Sequence, residues 1–159
     1  TTEIYTLSLH DALPILVTRF VAELLNVDPN SKILEPSCGA GAFFAQLPKT
    51  CDITGVEMMR EAARVSNILY PYVQVRQGNT LIMLEEFEGQ FDLVIGNPPY
   101  CSIPKHEDYS GYTIAQKGKD RAEWYFLELG LRALKPGGWL AFVVPDGILG
   151  NKKDEPLRA

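Results

Sequence analysis

The chain alternates between two periodicities, and this alternation constrains its fold more than any other property. Short apolar runs of strand length occur at 32–35, 53–57, 73–76, 91–96 and 139–144. Segments of helical period separate them. Phe20, Val21, Leu24 and Leu25 share one helical face, 42–47 and 60–69 read as helices, and 121–134 is a longer helix stopped by Lys135-Pro136-Gly137-Gly138. A strand, a helix and a further strand close as a right-handed crossover, so a mostly parallel α/β sheet is expected. Ligands of such sheets sit outside the carboxyl ends of the strands.

At 159 residues, 46% hydrophobic and 22% charged, the chain has material for one domain with a sizeable core. No apolar run approaches the ~20 residues of a membrane span. Cys38, Cys51 and Cys101 lack C-x-x-C spacing and only two histidines occur, so no metal site or disulfide framework is expected and a cytoplasmic setting fits. A formal charge of −5 argues against a domain that coats nucleic acid, but not against an enzyme that grips DNA through another part of a longer protein. Residues 1–15, TTEIYTLSLHDALPI, match one reading frame of a widely used sequencing adapter residue for residue. They are read as an artefact, whose removal takes the charge from −5 to −3. Residues 151–159 read as a polar turn entering an unfinished helix. The expectation is therefore a partial domain over 16–159, incomplete at both ends and cut after its fifth strand.

Two motifs fall at strand carboxyl ends. The run 91–96 stops at Asn97-Pro98-Pro99-Tyr100, where each proline fixes its own φ and holds the preceding residue extended. Neither proline offers an N–H, so the Asn97 side-chain oxygen and the Pro98 carbonyl remain as two acceptors, enough for both hydrogens of one NH₂ group. Tyr100 supplies a flat face for the ring that carries the amine. An Asn-Pro turn that merely closes a strand would look the same in isolation. Strand 32–35 enters Ser37-Cys38-Gly39-Ala40-Gly41, where glycines let a ligand approach the backbone. The following strand ends at Glu57, an offset at which carboxylates often accept from ribose hydroxyls. Together these suggest a nucleoside cofactor.

Ile33-Leu34-Glu35-Pro36-Ser37-Cys38-Gly39-Ala40-Gly41-Ala42-Phe43 followed by Phe91-Asp92-Leu93-Val94-Ile95-Gly96-Asn97-Pro98-Pro99-Tyr100 resembles the adenine-N6 DNA methyltransferases. The stretch from Glu123-Trp124-Tyr125-Phe126-Leu127 to Val144-Pro145-Asp146-Gly147-Ile148-Leu149 is most similar to the modification subunits of type I restriction systems. The resemblance spans 16–159 and implies a Rossmann-like class I S-adenosylmethionine-dependent methyltransferase fold, with 16–159 as part of its catalytic domain. It implies that Glu35, Cys38, Gly39 and Gly41 surround the methionine part of S-adenosylmethionine and that Glu57 holds the ribose. Thr18 matches the threonine of an N-terminal cofactor motif, although Arg19 stands where a proline is usual. Asn79 stands where the family usually has an acid reaching the cofactor's adenine, and its amide oxygen can still accept.

The implied reaction transfers a methyl group to the N6 amine of an adenine flipped out of double-stranded DNA, within a restriction-modification system. Asn97, Pro98, Pro99 and Tyr100 would form the catalytic pocket. Specificity and restriction subunits, or a fused recognition domain, are the implied partners. The glutamine-N5 methyltransferases of peptide release factors present the same amine problem and remain an alternative. So does a non-catalytic DNA-binding or assembly subunit with a decayed cofactor site, given Asn79. Asp92 reads as a capping carboxylate and Cys101 as a lining residue. The long polar stretch 102–120 is expected to order over the flipped base.

Overall fold

A computed structural model describes residues 13–118, 120–150 and 155. In chain order the strands are β1 (Lys32–Glu35), β2 (Asp52–Glu57), β3 (Gln74–Gln77), β4 (Phe91–Gly96) and β5 (Leu134–Phe142). The helices are α1 (Ile15–Leu25), α2 (Arg60–Leu69), α3 (Leu84–Phe87), α4 (Ala122–Ala133) and α5 (Asp146–Gly150), with single 3₁₀ turns at Phe44–Gln46, Thr80–Met83 and Ala115–Gly118. All strand pairings are parallel, and the order is β3-β2-β1-β4-β5. The sheet grows outward in both directions from β1 and β4, which pair through Ile33 with Leu93 and Leu34 with Val94. That reversal opens a crevice above their carboxyl ends.

The period-2 alternation of side chains builds a core on each face of the sheet. Leu34, Val56 and Val94 point to one side, against Leu84, Phe87, Trp124, Phe126 and Leu129. Ile33, Ile53, Leu93 and Ile95 point to the other, against Phe43, Phe44 and Leu47. Each face is thus covered by separate segments, as the alternating periods require.

Four expectations change in detail. Of the four apolar residues expected on the inner face of α1, Val21 and Leu25 pack inward, while Phe20 and Leu24 are exposed. The segment 42–47 forms turns and one 3₁₀ turn rather than an α-helix, because the few residues between Gly41 and Pro48 cannot support a cooperative helix. Lys135-Pro136-Gly137-Gly138 does not separate helix from strand. β5 starts at Leu134, opposite Phe91, and the register then jumps so that Leu93 faces Trp139, with these residues bulging past Asp92. Asp92 caps this bulge, accepting from Lys135 Nζ and from the Lys32 N–H, each at 2.8 Å.

The fourth change concerns the described part of 102–120, residues 102–118 and 120, which folds onto the domain's own core. Its base is closed by Ala122 N–H to the Cys101 carbonyl at 2.9 Å and Ile103 N–H to the Asp120 carbonyl at 2.8 Å. Tyr112 is buried and donates its hydroxyl to the Leu81 carbonyl at 2.8 Å. The buried Glu128 carboxylate, projecting from α4, accepts from the N–H groups of Thr113, Ile114 and Ala115 and from the Thr113 hydroxyl. A segment held this way forms a wall of the domain.

Candidate active site

The two motifs meet because β1 and β4 are neighbours. Beyond Glu35 the chain turns through Ser37, whose hydroxyl donates to the Asn97 carbonyl at 3.2 Å and ties the tips of the two strands together. The Cys38 N–H bonds the Val56 carbonyl at 2.9 Å and the Gly41 N–H bonds the Cys38 carbonyl at 2.8 Å, so the turn is rigid on both sides. Gly39 and Gly41 have φ of +53° and +87°, in the region that disfavours side chains. Around Gly39 a Cβ would meet nothing within 4 Å, which is the open approach a ligand needs. At Gly41 it would lie 2.6 Å from the Phe44 ring and 2.7 Å from Tyr70, so this glycine serves packing.

Glu57, at the end of β2, accepts from the N–H of Gly39 at 2.9 Å and of Met59 at 2.7 Å. These bonds fix its carboxylate beside the turn and use one acceptor position on each oxygen, leaving others for hydroxyl donors. Glu35 is buried beneath it, against Gly96, and its Oε2 has no hydrogen-bond partner among the described residues. Burial first and the nearby Glu57 second push the Glu35 carboxyl well above the ordinary carboxylate range. An unpaired acid in such a place is costly unless a cation or donor completes it.

Asn79 caps the 3₁₀ turn after β3, its Oδ1 accepting from Leu81 N–H at 3.1 Å and its Nδ2 donating to the Tyr109 hydroxyl at 3.0 Å. Tyr109 comes from the wall segment, so that segment braces the turn after β3 through Asn79. Cys38 is buried, and burial raises its thiol far above the ordinary range, which suits a lining residue. Thr18 is buried in α1 with its hydroxyl committed to the Ile15 carbonyl at 3.0 Å. Among the described residues no hydrogen bond joins it to the glycine turn.

At the other side of the crevice Asn97 is half-buried, Pro98 buried, and Pro99 and Tyr100 exposed. The Pro98 carbonyl accepts no hydrogen bond among the described residues, as a group reserved for an incoming donor would. The Tyr100 ring is 52% exposed, leaving a face for stacking, and its hydroxyl lies 2.7 Å from Asn97 Oδ1 and 2.9 Å from the Val143 carbonyl. A groove of about 310 Å³ lined by Asp28, Asp92, Lys135 and Trp139 opens at the opposite, amino ends of the strands and touches neither motif. Among the described residues no cluster of ligating side chains has the makings of a metal site.

Sequence reasoning singled out Asn97, Pro98, Gly39 and Glu57 but missed the roles of Ser37, Tyr109, Val143 and Glu128. Glu128 did leave a signal, since it sits four residues after Trp124 on the apolar face of α4, an unusual place for an acid.

A sequence profile of the N-6 DNA methylase family matches residues 13–157. The modification methylase CviBIII of Paramecium bursaria Chlorella virus NC1A is 31% identical over 134 residues, covering 82% of this chain and 35% of that protein. The methylase subunit of the type I restriction enzyme EcoEI from Escherichia coli is 28% identical over 159 residues, 86% of this chain and 32% of its own length. A release factor glutamine methyltransferase of Clostridium acetobutylicum is 26% identical over 147 residues, 81% and 52% respectively. The chain thus spans about a third to a half of the length of these relatives. Among solved structures, a Listeria monocytogenes protein assigned to the class I S-adenosylmethionine-dependent methyltransferases superposes with a TM-score of 0.81 at 24% identity, over 93% of this chain and 50% of that one. The M protein of the type I restriction enzyme EcoKI gives 0.75 at 19%, over 96% and 38%. The fold is that of the class I S-adenosylmethionine-dependent methyltransferases, and the chain belongs to the N-6 DNA methylase family.

Proposed function

We propose that this chain forms the catalytic core of a restriction-modification methyltransferase that methylates the N6 amine of adenine in double-stranded DNA, with S-adenosylmethionine as cofactor. The observation that carries the reading is the end of β4, where Asn97 and a Pro98 carbonyl without a partner among the described residues are tied through Ser37 to the glycine turn. The residues of that turn suit the cofactor. Glu35 has a buried, unpaired oxygen for a cationic group, Glu57 has free acceptor positions for ribose hydroxyls, and Gly39 leaves open space beside its backbone. Cys38 and Gly41 shape the same turn, Asn79 offers the second lone pair of Oδ1 to an adenine amine, and Thr18 acts only through the packing of α1.

S-adenosylmethionine, when bound, supplies a methyl group already activated on a sulfonium. The difficulty lies with the other reactant, because the adenine N6 lone pair is delocalised into the ring. Asn97 and Pro98 accept both N–H hydrogens, draw the nitrogen toward tetrahedral geometry and stabilise the positive charge that develops on it. The base must leave the duplex, at a cost of a few kcal/mol, and stacking on Tyr100 returns about 1–3 kcal/mol. Pro99 holds Pro98 extended so that its carbonyl faces the crevice. The DNA sequence would be selected by specificity subunits or a recognition domain, with a restriction subunit as a further partner in a cytoplasmic assembly. No helix among the described residues is long and apolar enough to cross a membrane.

The test is to incubate the full-length protein with S-adenosylmethionine and genomic DNA lacking N6 methylation, and to analyse the nucleosides by mass spectrometry. N6-methyladenine is expected, and Asn97→Ala should lower kcat by about 10²–10³-fold, the scale for removing one transition-state hydrogen bond. The similarity to a release factor glutamine methyltransferase supports a second reading. Methylation of a glutamine in a release factor, with none in DNA, would establish that reading instead.

A further inference from the structure

The Tyr100 hydroxyl lies between two groups that are both acceptors as placed, Asn97 Oδ1 at 2.7 Å and the Val143 carbonyl oxygen at 2.9 Å. A phenol has one proton, and a backbone carbonyl can only accept. With Oδ1 turned to Tyr100, one of these two short contacts has no hydrogen in it, and Asn97 Nδ2 makes no hydrogen bond among the described residues. Turning the Asn97 amide by half a revolution exchanges Oδ1 and Nδ2, two atoms of nearly the same shape. Both contacts then become hydrogen bonds, with Asn97 Nδ2 donating to the Tyr100 oxygen and the Tyr100 hydroxyl donating to Val143. Oδ1 moves to the side that has no hydrogen-bond partner among the described residues.

We propose that Tyr100 is a positioning residue for Asn97: its hydroxyl, committed as donor to the Val143 carbonyl, accepts from Asn97 Nδ2 and so presents Oδ1 to the substrate. Val143 is a fixed reference, because its own N–H donates to the Gly96 carbonyl at 3.0 Å and continues the pairing of β4 with β5. Orientation decides which chemistry the pocket accepts. With Oδ1 forward the pocket takes a group that donates two hydrogens. With Nδ2 forward it meets an amine donor to donor, and would favour a carbonyl. The hydroxyl therefore selects an exocyclic amine over an exocyclic oxygen on an otherwise similar ring, a role separate from stacking. This deepens the proposed function and rests on it for the identity of the substrate, whereas the orientation of Asn97 can be read without any reaction.

The variant that isolates the hydroxyl is Tyr100→Phe, which keeps the ring. Two readouts are taken on the full-length protein. The first is NMR of the Asn97 side-chain amide in asparagine-labelled protein, assigned by its disappearance in Asn97→Asp. Exchange of its protons with water should be about 3- to 10-fold faster in Tyr100→Phe, the range expected for losing one ordinary hydrogen bond. Unchanged exchange and chemical shifts overturn the proposal, whatever the protein methylates. The second readout is kinetic. Tyr100→Phe should lower kcat about 3- to 10-fold while KM for DNA and the fluorescence of 2-aminopurine at the target position stay at wild-type values. A fall in kcat accompanied by equal losses in KM and in that fluorescence would show a structural role and also overturn it. Wild-type protein that makes no N6-methyladenine refutes the functional reading alone, since the amide exchange still decides the orientation.

Discussion

Replacing Glu128 with glutamine changes one buried atom from acceptor to donor and should release the wall segment that carries Tyr109. In the native protein Glu128 Oε1 accepts from the Thr113 N–H at 2.8 Å and its hydroxyl at 3.2 Å, while Oε2 accepts from the N–H of Ile114 at 2.9 Å and of Ala115 at 2.7 Å. In Glu128→Gln the best orientation keeps the amide oxygen on Ile114 and Ala115 and sets an NH₂ against the Thr113 N–H. One charge-assisted bond is lost, worth about 1.5–3 kcal/mol, and two survivors lose their charge assistance, about 1 kcal/mol each. The opening of 113–115 should become easier by about 3.5–5 kcal/mol, which is roughly 4 × 10²- to 5 × 10³-fold faster hydrogen exchange at Ile114 and Ala115. Exchange within fivefold of wild type would refute the reasoning. The effect also has a pH signature. Burial alone would raise the Glu128 carboxyl, yet the four hydrogen bonds outweigh it and hold the carboxyl below the ordinary range. Its contribution is complete above the unfolded carboxylate pKa of about 4.3 and is lost as pH falls through the lower folded value. In Glu128→Gln this acid-dependent loss of protection should be absent.

The raised Glu35 carboxyl acts in the opposite sense: its stabilising contribution is present below the ordinary carboxylate range and is lost as pH rises through the folded value. Glu35→Gln should make the cofactor-free protein relatively more stable as pH increases. Calorimetry in buffers of different ionisation enthalpy should find net proton release on S-adenosylmethionine binding by the wild type and none by Glu35→Gln, and no release by either would contradict the account. Gly41→Ala adds crowding against Phe44 and Tyr70 to a left-handed φ, so chemical denaturation should show a loss of about 2–4 kcal/mol. Gly39→Ala shares the left-handed φ without the crowding and should cost about 1–2 kcal/mol, and equal losses at the two sites would refute the distinction.

The sheet was legible in the sequence because each strand is a short apolar run bounded by turn residues. β1, β4 and α2 have the limits that the pattern alone implies. Legibility failed where tertiary pairing overrides local signals. Lys135-Pro136-Gly137-Gly138 has every mark of a helix stop, yet these residues bulge within β5 because Asp92 anchors them from the neighbouring strand. The polar composition of 102–120 led to the expectation that it orders over a flipped base and gave no sign that it packs on the domain's own core, because its anchor, Glu128, lies on another element. In the site, Asn97 and Pro98 were legible because proline fixes the backbone without help from elsewhere. The partners of Asn97 were not, since Val143 contributes a carbonyl, which every residue has, and only the pairing of β5 with β4 brings it to Tyr100.

The bond from the Ser37 hydroxyl to the Asn97 carbonyl joins residues that belong to different half-sites. In thermodynamic terms it makes them partners in one equilibrium. Under the proposed function, a cofactor seated on the turn at 37–41 would hold Ser37 more firmly and, through this bond, the tip of β4, so part of the entropy lost when a base settles against Asn97 would already have been removed. Linkage is reciprocal, and occupancy at Asn97 must tighten binding at the turn by the same factor. On that reading, a single hydroxyl would give the crevice a means of favouring the state in which both ligands are present over either state with one.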